Sequence, residues 1–148
     1  MTPSVLRTLL YTAKDARRMF EAALAQAHGS FPTFVVLDAL ATDEGLTQRA
    51  LADRLSIEGP TLTRLLDGLE AQRLVERHPN PEDRRAYRIY LTADGQALYE
   101  QLLPAACRAE QTLLQALSPD AVATFSSLLE QVRGGLARPP TAARAERR

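Results

Sequence analysis

The stretch from Leu46 to Thr92 constrains the fold most, because its hydrophobic pattern changes there from a helical to an alternating period. Thr47 is a good residue to precede and cap a helix, and residues 56–59 predict a turn after that helix. Pro60 then suits the first turn of a second helix. This second helix has one apolar face, spaced i, i+3, i+4 and i+7 and formed by Leu62, Leu65, Leu66 and Leu69. Its opposite side is small and polar, with a single arginine.

Two extended segments follow, at about 74–78 and 86–91, and the second alternates apolar and polar residues like a half-buried strand. Pro79-Asn80-Pro81 argues against a tight two-residue turn, so we predict a hairpin with a long projecting loop. The tip of that loop carries Asp83, Arg84 and Arg85. Two short helices followed by a cationic hairpin have the layout of a winged helix-turn-helix, whose second helix enters the DNA major groove.

Four further helices are predicted, at about 4–27, at about 33–41, after Thr92 and from Ser118-Pro119-Asp120. Pro104 should kink or divide the helix that follows Thr92. Three of these helices, the first and the last two, carry long apolar stripes that a monomer could not cover. Pairing with a second copy would cover them, and a two-fold dimer is the commonest closed arrangement.

The predicted fold class is therefore mainly α with a small β-hairpin wing (α+β). It is a winged helix-turn-helix with N- and C-terminal dimerisation helices. We assign residues 1–30 and 98–137 to dimerisation and residues 31–97 to the DNA-binding lobe. Residues 138–148 are polar and proline-containing, and we predict a disordered tail there.

The composition argues against several other classes of protein. No apolar run is long enough to span a membrane, and the N-terminus lacks the pattern of a signal peptide. One cysteine cannot form an internal disulfide, and two histidines argue against a dedicated zinc site. No catalytic constellation or phosphate-binding loop is visible. We therefore predict a cytoplasmic protein without enzymatic activity or cofactor. The net charge of zero counts mildly against nucleic-acid binding, although four arginines cluster at 77–88.

These motifs resemble the MarR family of bacterial transcription regulators over about 31–98, and residues 57–95 are similar to its SlyA-type branch. The most specific match is Asp83-Arg84-Arg85-Ala86 followed by Leu91-Thr92-x-x-Gly95. The terminal helices agree with the family in length and order but not in motif. The other matching segments are Leu46-Thr47-Gln48, Leu51-Ala52, Ile57-Glu58-Gly59-Pro60-Thr61-Leu62, Leu66-Asp67-x-Leu69-Glu70 and Leu74-Val75-Glu76-Arg77.

The resemblance implies a homodimer that binds a short pseudo-palindromic DNA site, usually as a repressor. Many members release DNA when a small phenolic or other aromatic acid binds near the junction of the dimer helices and the DNA-binding lobe. Other members respond to thiol oxidation.

The predicted DNA contacts lie on the helix at 58–73 and the wing at 74–91. Pro60 and the methyl group of Thr63 can touch a thymine methyl, and Arg64 can donate two hydrogen bonds to guanine. Contact of Arg64 with phosphate alone is the alternative. The other DNA-binding candidates are Thr47, Gln48, Thr61, Arg84, Arg85 and Arg88. Of these, Thr47, Gln48, Arg84 and Arg88 are predicted to contact phosphate. Helix capping is an equal alternative for the first two, and a solvated charged hairpin is the alternative for the wing arginines.

The resemblance assigns Arg85 to the minor groove, where narrowness and negative potential attract arginine. It assigns Asp83 to bracing the wing loop by an ion pair. Asp67 lies on the DNA-facing side of its helix, where phosphates would repel a bare carboxylate. A salt bridge to a wing arginine would resolve this repulsion and fix the angle between the two elements. The alternative is an exposed carboxylate that disfavours wrong DNA sequences.

Cys107 falls in the fifth helix, whereas the resemblance places the sensing cysteine of the thiol-oxidation branch in the first. We therefore predict a small packing residue, with a redox role beside Arg108 as the alternative. A ligand pocket for an aromatic acid would combine a cation with aromatic walls. Its candidate residues on the first two helices are Tyr11, Lys14, Arg18, His28, Phe31 and Phe34. Each of them singly could equally be an ordinary core or surface residue.

The sequence thus predicts a MarR-like homodimeric repressor whose partners are double-stranded DNA and a second copy of itself. A small aromatic acid or phenolic effector is a further hypothesis. The alternatives within this class are a regulator without an effector and an activator. The alternative from another class is a winged-helix protein-interaction module that has lost DNA binding, which the neutral net charge favours. Arg64 and Arg85 together favour DNA.

Overall fold

The computed structural model describes residues 4–137 and contains eight elements in that range. In chain order they are α1 (Val5–Gln26), α2 (Phe31–Thr42), α3 (Gln48–Leu55), α4 (Gly59–Ala71), β1 (Val75–Asn80), β2 (Asp83–Leu91), α5 (Ala93–Leu114) and α6 (Pro119–Ala137). The predicted fold class is confirmed. The tail predicted at 138–148 lies outside the described residues.

The chain divides after Glu110 into two compact units. The first holds α1 to β2 and most of α5, and the second holds the end of α5 and α6. No helix within the described residues is long and apolar enough to cross a membrane.

Local sequence signals set the helix ends. The Ser4 hydroxyl accepts a hydrogen bond from the backbone N–H of Arg7, and the Thr47 hydroxyl accepts one from Ala50 at 3.1 Å. Helix α2 starts two residues before the predicted Thr33, because Ser30 caps it. The Ser118 hydroxyl caps α6 in the same way. Each cap satisfies a backbone donor that has no partner within its own helix.

The core of the first unit has two parts. The larger joins α2, α3, α4 and the hairpin through fully buried residues that include Leu37, Leu51, Leu66 and Ile89. The smaller packs Leu24 of α1 against Phe34 of α2 and against Leu102 and Ala106 of α5. The larger part therefore covers the leucine face of α4 and leaves its polar side to solvent.

Helix α5 contains Pro104 but is not divided by it, contrary to one of the two outcomes expected for that residue. Proline removes one backbone donor from the helix. The residues on either side of it, Leu102 and Ala106, are buried against α1 and α2. This packing stabilises the helix through the point where a backbone hydrogen bond is missing.

The hairpin differs from its prediction at the turn. Asn80 pairs with Asp83, so only Pro81 and Glu82 connect the strands and the loop is short. The expectation of a long loop was wrong because proline suits the second position of a tight turn, where its lost N–H is not needed. The Asn80 side chain also accepts the Glu82 N–H at 3.2 Å. The extra length lies instead in β2, where residues 84–86 stand between the partners of Asn80 and Pro79.

Candidate nucleic-acid interface

Helix α4 presents its N-terminal turns to solvent. Pro60, Thr61, Thr63 and Arg64 are exposed, while the leucine at 62 is fully buried. The Arg64 side chain makes no hydrogen bond or ion pair with other residues of 4–137, so its donors are available to a partner. All four predicted candidates on this helix therefore share an accessible surface.

The Thr63 hydroxyl already takes part in two hydrogen bonds. It accepts a hydrogen bond from Gln48 Nε2 at 2.7 Å and donates to the Gly59 carbonyl at 3.0 Å. Contact of the Thr63 methyl group with a thymine methyl stays a prediction. The donor that Gln48 gives to Thr63 holds α3 against α4. The prediction of a phosphate contact for Gln48 did not include this structural role. Thr47 acts as a helix cap.

Asp67 pairs with an arginine of the wing, and the partner is Arg77 of β1. Arg77 Nη2 lies 2.7 Å from Asp67 Oδ1, and Nη1 lies 2.6 Å from Glu70 Oε2. Nη2 also donates to the Thr63 carbonyl at 3.4 Å. Sequence reasoning had counted Arg77 only as part of a basic cluster. No local signal distinguishes it from the other wing arginines, because the contact joins residues that lie up to fourteen positions apart.

The tip of the wing is held by backbone contacts. Asp83 Oδ1 accepts the backbone N–H of Arg85 at 2.9 Å. No ion pair joins Asp83 to an arginine within the described part of the chain, so the predicted ion pair was wrong. Asp83 instead holds the loop through this local turn. The turn requires little ordering of long side chains and leaves the guanidinium groups unbound. Arg84 and Arg85 are both exposed.

Arg88 points inward, contrary to the prediction of a phosphate contact. Its Nη1 donates to the Gly45 carbonyl at 3.0 Å, and its Nε lies 3.3 Å from Asn80 Oδ1. Gly45 has a φ of +74°, and a Cβ there would lie 3.0 Å from the Tyr90 hydroxyl. The loop before α3 is thus shaped to receive the wing. The Ile89 N–H also donates to the Leu46 carbonyl at 2.9 Å. Arg88 therefore anchors the base of the hairpin.

A groove of about 860 Å³ lies between α3, the start of α4 and the wing tip. Its lining includes five of the predicted DNA-binding candidates, Thr47, Gln48, Pro60, Thr63 and Arg85. It also includes Arg49, an exposed residue of α3 that sequence reasoning did not select. Arg49 comes directly after two predicted phosphate contacts, and this position was the available signal. The groove brings the two arginines to one concave surface.

The predicted ligand-pocket residues separate into two groups. Phe31 and Phe34 belong to an aromatic cluster with Phe20 and Tyr99, with ring centroids 6.0–6.2 Å apart. Tyr11, Lys14, Arg18 and His28 are exposed. The cation over an aromatic ring is instead Arg17, 4.8 Å from the centroid of Phe31. Sequence reasoning missed Arg17, Phe20 and Tyr99, although helical spacing alone places Arg17 one turn before Phe20 and Glu21.

Tyr99 links this aromatic cluster to α2, because its hydroxyl donates to Asp38 Oδ1 at 3.0 Å. Burial of the ring raises the pKa of Tyr99 above its ordinary value of 10.0, and the hydrogen bond and negative charge of Asp38 raise it further. The hydroxyl therefore stays protonated at neutral pH and keeps its role as a donor.

Cys107 is exposed, so the prediction that it is a small packing residue was wrong for this chain. It lies one residue beyond the buried Ala106, and that turn of α5 directs its side chain to solvent. No group of three potential metal ligands is present among the described residues.

Known proteins match both the sequence and this geometry. The sequence model of the MarR family matches residues 30–86. The multiple antibiotic resistance protein MarR of Salmonella typhimurium is 36% identical over 100 residues, which cover 67% of this chain and 69% of that protein. The crystal structure of a cysteine-to-serine mutant of E. coli MarR in complex with operator DNA is 31% identical, with a TM-score of 0.77 and coverage of 85% of this chain and 91% of that one.

A third relative is the PcaV transcriptional regulator of Streptomyces coelicolor, solved in complex with its natural ligand. It is 25% identical with a TM-score of 0.75, over 90% of this chain and 93% of that one. The predicted winged helix-turn-helix and its relationship to known regulators are confirmed by these matches, whereas the SlyA-type branch stays a prediction. The fold, the wing and the shared sequence agree, and the chain belongs to the MarR family of transcription regulators.

Proposed function

We propose that this chain is a cytoplasmic, homodimeric repressor that binds a pseudo-palindromic DNA site with α4 in the major groove and the wing in the minor groove. The observation that carries this proposal is the pair Arg64 and Arg85. Each is exposed, and neither side chain has a partner among residues 4–137. They stand on two elements whose mutual position is set by other side chains. The E. coli MarR complex with operator DNA, 31% identical to this chain, supports the same assignment.

The proposed contacts divide by groove. Arg64 donates to a guanine edge, and Pro60 and the Thr63 methyl contact a thymine methyl. Thr61 adds to the same surface, and Arg84 and Arg49 are directed at phosphate. Arg85 enters the minor groove. Because Arg88 is engaged with Gly45 and Asn80, we assign it to positioning the wing instead of contacting DNA.

The homodimer is proposed from apolar side chains that lack cover. Val5, Leu6 and Leu10 of α1 are 82%, 64% and 58% exposed. Leu136 of α6 is 81% exposed. Monomeric proteins rarely expose apolar surface in large contiguous patches, so such faces indicate an interface. A second copy supplies a matching face by symmetry.

The DNA assignment is tested with Arg64→Ala and Arg85→Ala against a selected palindrome. Arg64→Ala should relax discrimination at one base pair per half-site by about 1–3 kcal/mol. Arg85→Ala should weaken binding most where A·T-rich flanks narrow the minor groove. Arg7→Ala, an exposed arginine of α1, is the matched control and should bind like the parent. Parental affinity in both variants would overturn the assignment.

Salt dependence separates DNA binding from the protein-module alternative. Displacement of counterions from phosphates makes the logarithm of affinity fall linearly with the logarithm of salt concentration. We therefore expect a steep negative slope for the parent and a shallower one for Arg84→Ala. A flat profile would favour a protein-interaction module.

A second proposed activity is release from DNA by a small aromatic acid. The cluster of Phe20, Phe31, Phe34 and Tyr99 with Arg17 beside it combines aromatic walls with a cation. PcaV, 25% identical to this chain, was solved with its natural ligand. Benzoate and 4-hydroxybenzoate should raise the melting temperature of the parent and weaken its DNA binding. Arg17→Ala should remove both effects, whereas Lys14→Ala should do so only if the pocket predicted from sequence is the correct one.

A further inference from the structure

Arg77 of β1 supplies every side-chain hydrogen bond between α4 and the hairpin within residues 4–137. Its guanidinium reaches Asp67 and Glu70, 2.7 Å and 2.6 Å away, and the Thr63 carbonyl at 3.4 Å. We propose that Arg77 is a positioning residue that holds the wing at one angle to α4, so that a single lobe can enter both grooves at once. This inference rests on the proposed function, since it presupposes that the lobe binds DNA.

The chemistry of the contact requires arginine. A guanidinium is a rigid, planar fork with five donors, so two carboxylates on one helix and a backbone carbonyl can each receive a separate N–H. A lysine ammonium is a compact charge on a flexible stem and cannot define a plane between the two elements. Arg77 is well placed for this role because its strand partner, Ile89, is completely buried and fixes the backbone there.

Exposure indicates that the contact orients the wing more than it stabilises the fold. The Arg77 side chain is 14% exposed, but those of Asp67 and Glu70 are 61% and 44% exposed. Salt bridges with such exposed partners contribute little to the stability of a fold. The core beneath them is closed by leucines. The ion pairs can therefore be removed without unfolding the lobe.

A small rotation of the hairpin at Arg77 displaces the tip of the wing by a larger distance, because the strands extend beyond that residue. Arg77 lies three residues before Asn80, and at about 3.3 Å per residue the tip extends about 10 Å beyond it. A rotation of about 15° at Arg77 would move the tip by nearly 3 Å, more than a well-placed hydrogen bond tolerates. Arg85 would then reach its groove only part of the time.

A second anchor on the opposite side prevents the hairpin from pivoting. Arg88 is paired with His78, one residue after Arg77, and donates to the Gly45 carbonyl in the loop before α3. A hairpin attached at one point can rotate about it. Attachment at two neighbouring strand positions, to α4 and to the loop before α3, removes that rotation.

Arg77→Lys tests the proposal without changing the net charge. The measured quantity is the cost of Arg85→Ala to operator affinity, determined in the parent and again in the Arg77→Lys background. Arg77 and Arg85 do not contact each other, but residues coupled through a backbone shift show an interaction energy that a double-mutant cycle detects. We expect Arg85→Ala to weaken binding about tenfold in the parent and about twofold in Arg77→Lys, a coupling within the range measured for residues linked by a backbone shift. Arg73→Lys, an exposed arginine just after α4, is the matched control and should leave the tenfold cost intact.

A second variant separates positioning from simple electrostatics. Asp67→Ala with Glu70→Ala removes two negative charges beside the DNA, so electrostatics alone predicts tighter binding and an unchanged cost of Arg85→Ala. Loss of positioning predicts that the cost of Arg85→Ala falls, as in Arg77→Lys. An undiminished cost in both backgrounds would overturn the inference while the parent still binds DNA. Failure of the folded parent to bind DNA would instead overturn the proposed function.

Discussion

The lobe formed by α2, α3, α4 and the hairpin buries most of its large apolar side chains, whereas the outer helices expose many of theirs. In the lobe, Leu37, Leu51 and Leu66 have no exposed surface. In α6, Leu128, Val132 and Leu136 are 53%, 50% and 81% exposed. Both regions carry apolar residues at helical spacing. The difference teaches that hydrophobic spacing reports which face must be covered, but not whether the cover comes from the same chain.

The lobe and the outer helices also differ in what stabilises them. The lobe buries its leucines within one polypeptide, so its folding depends on its own packing. In the proposed dimer, the exposed faces of α1 and α6 gain cover by association, so their contribution would depend on protein concentration.

The largest expected effect tests the exposed region. Leu128→Ala should weaken the proposed dimer by about 3–6 kcal/mol, because a two-fold interface loses two leucine side chains, each worth about 1.5–3 kcal/mol when buried. Sedimentation over a range of concentrations measures the dissociation constant. Glu130→Ala, an exposed substitution in the same helix, is the control and should change little. A monomeric parent would break the comparison, since the outer faces would then need no partner.

The next effect tests the covered region. Leu66→Ala removes a fully buried side chain of α4 and should lower the free energy of unfolding by about 2–5 kcal/mol. Urea denaturation at a fixed protein concentration measures this loss. Arg64→Ala on the exposed side of the same helix should stay within about 0.5 kcal/mol of the parent. Equal losses in the two variants would show that α4 is not divided into a core face and a free face.

A smaller effect sharpens the comparison at the level of single Cβ atoms. A Cβ on Gly95 would lie 1.9 Å from the Leu74 carbonyl oxygen, so Gly95→Ala should cost about 1–3 kcal/mol of stability. Nothing lies within 4 Å of a Cβ on Gly68 in α4, so Gly68→Ala should stabilise by up to about 1 kcal/mol through helix propensity. Thermal or urea unfolding distinguishes the two signs. A gain in stability for Gly95→Ala would mean that position 95 does not lie against the Leu74 carbonyl.

The smallest effect concerns the contact between α2 and α5. Tyr99→Phe removes the hydrogen bond to Asp38 and should cost about 1 kcal/mol at neutral pH. Because burial and Asp38 raise the pKa of Tyr99, its contribution is complete below pH 10 and is lost as pH rises through the raised value. The parent should therefore lose stability above pH 10 more steeply than Tyr99→Phe. Parallel pH profiles would contradict this role for the hydroxyl.

Sequence reasoning reached most of the fold because the deciding signals were local. The caps at Ser4, Thr47 and Ser118, together with the leucine spacing of α4, depend on neighbours a few residues apart. The family resemblance came from the same kind of signal in the wing. The turn after Asn80 was predicted wrongly because two opposed rules for proline applied, and the tight turn was the one that operated.

Contacts across the fold could not be predicted in the same way. Asp67 was expected to meet a wing arginine, but four arginines lie at 77–88 and the register of the hairpin decides among them. That register turns Arg77 towards α4 and Arg88 towards Gly45, and leaves Arg84 and Arg85 exposed. Arg17 beside Phe31 was missed for the same reason, since it joins two helices.

The outer side of α4 has a consequence for how such a regulator can change over generations. Pro60, Arg64 and Gly68 are exposed, and a side chain at position 68 would meet open space. The leucines that close the core lie on the other side of the helix, and the anchors of the wing lie beside it. With α4 in the major groove as proposed, mutations at these outer positions would alter which DNA sequence is preferred while the free energy of folding stays nearly constant. A duplicated copy could acquire a new operator without first acquiring a new core.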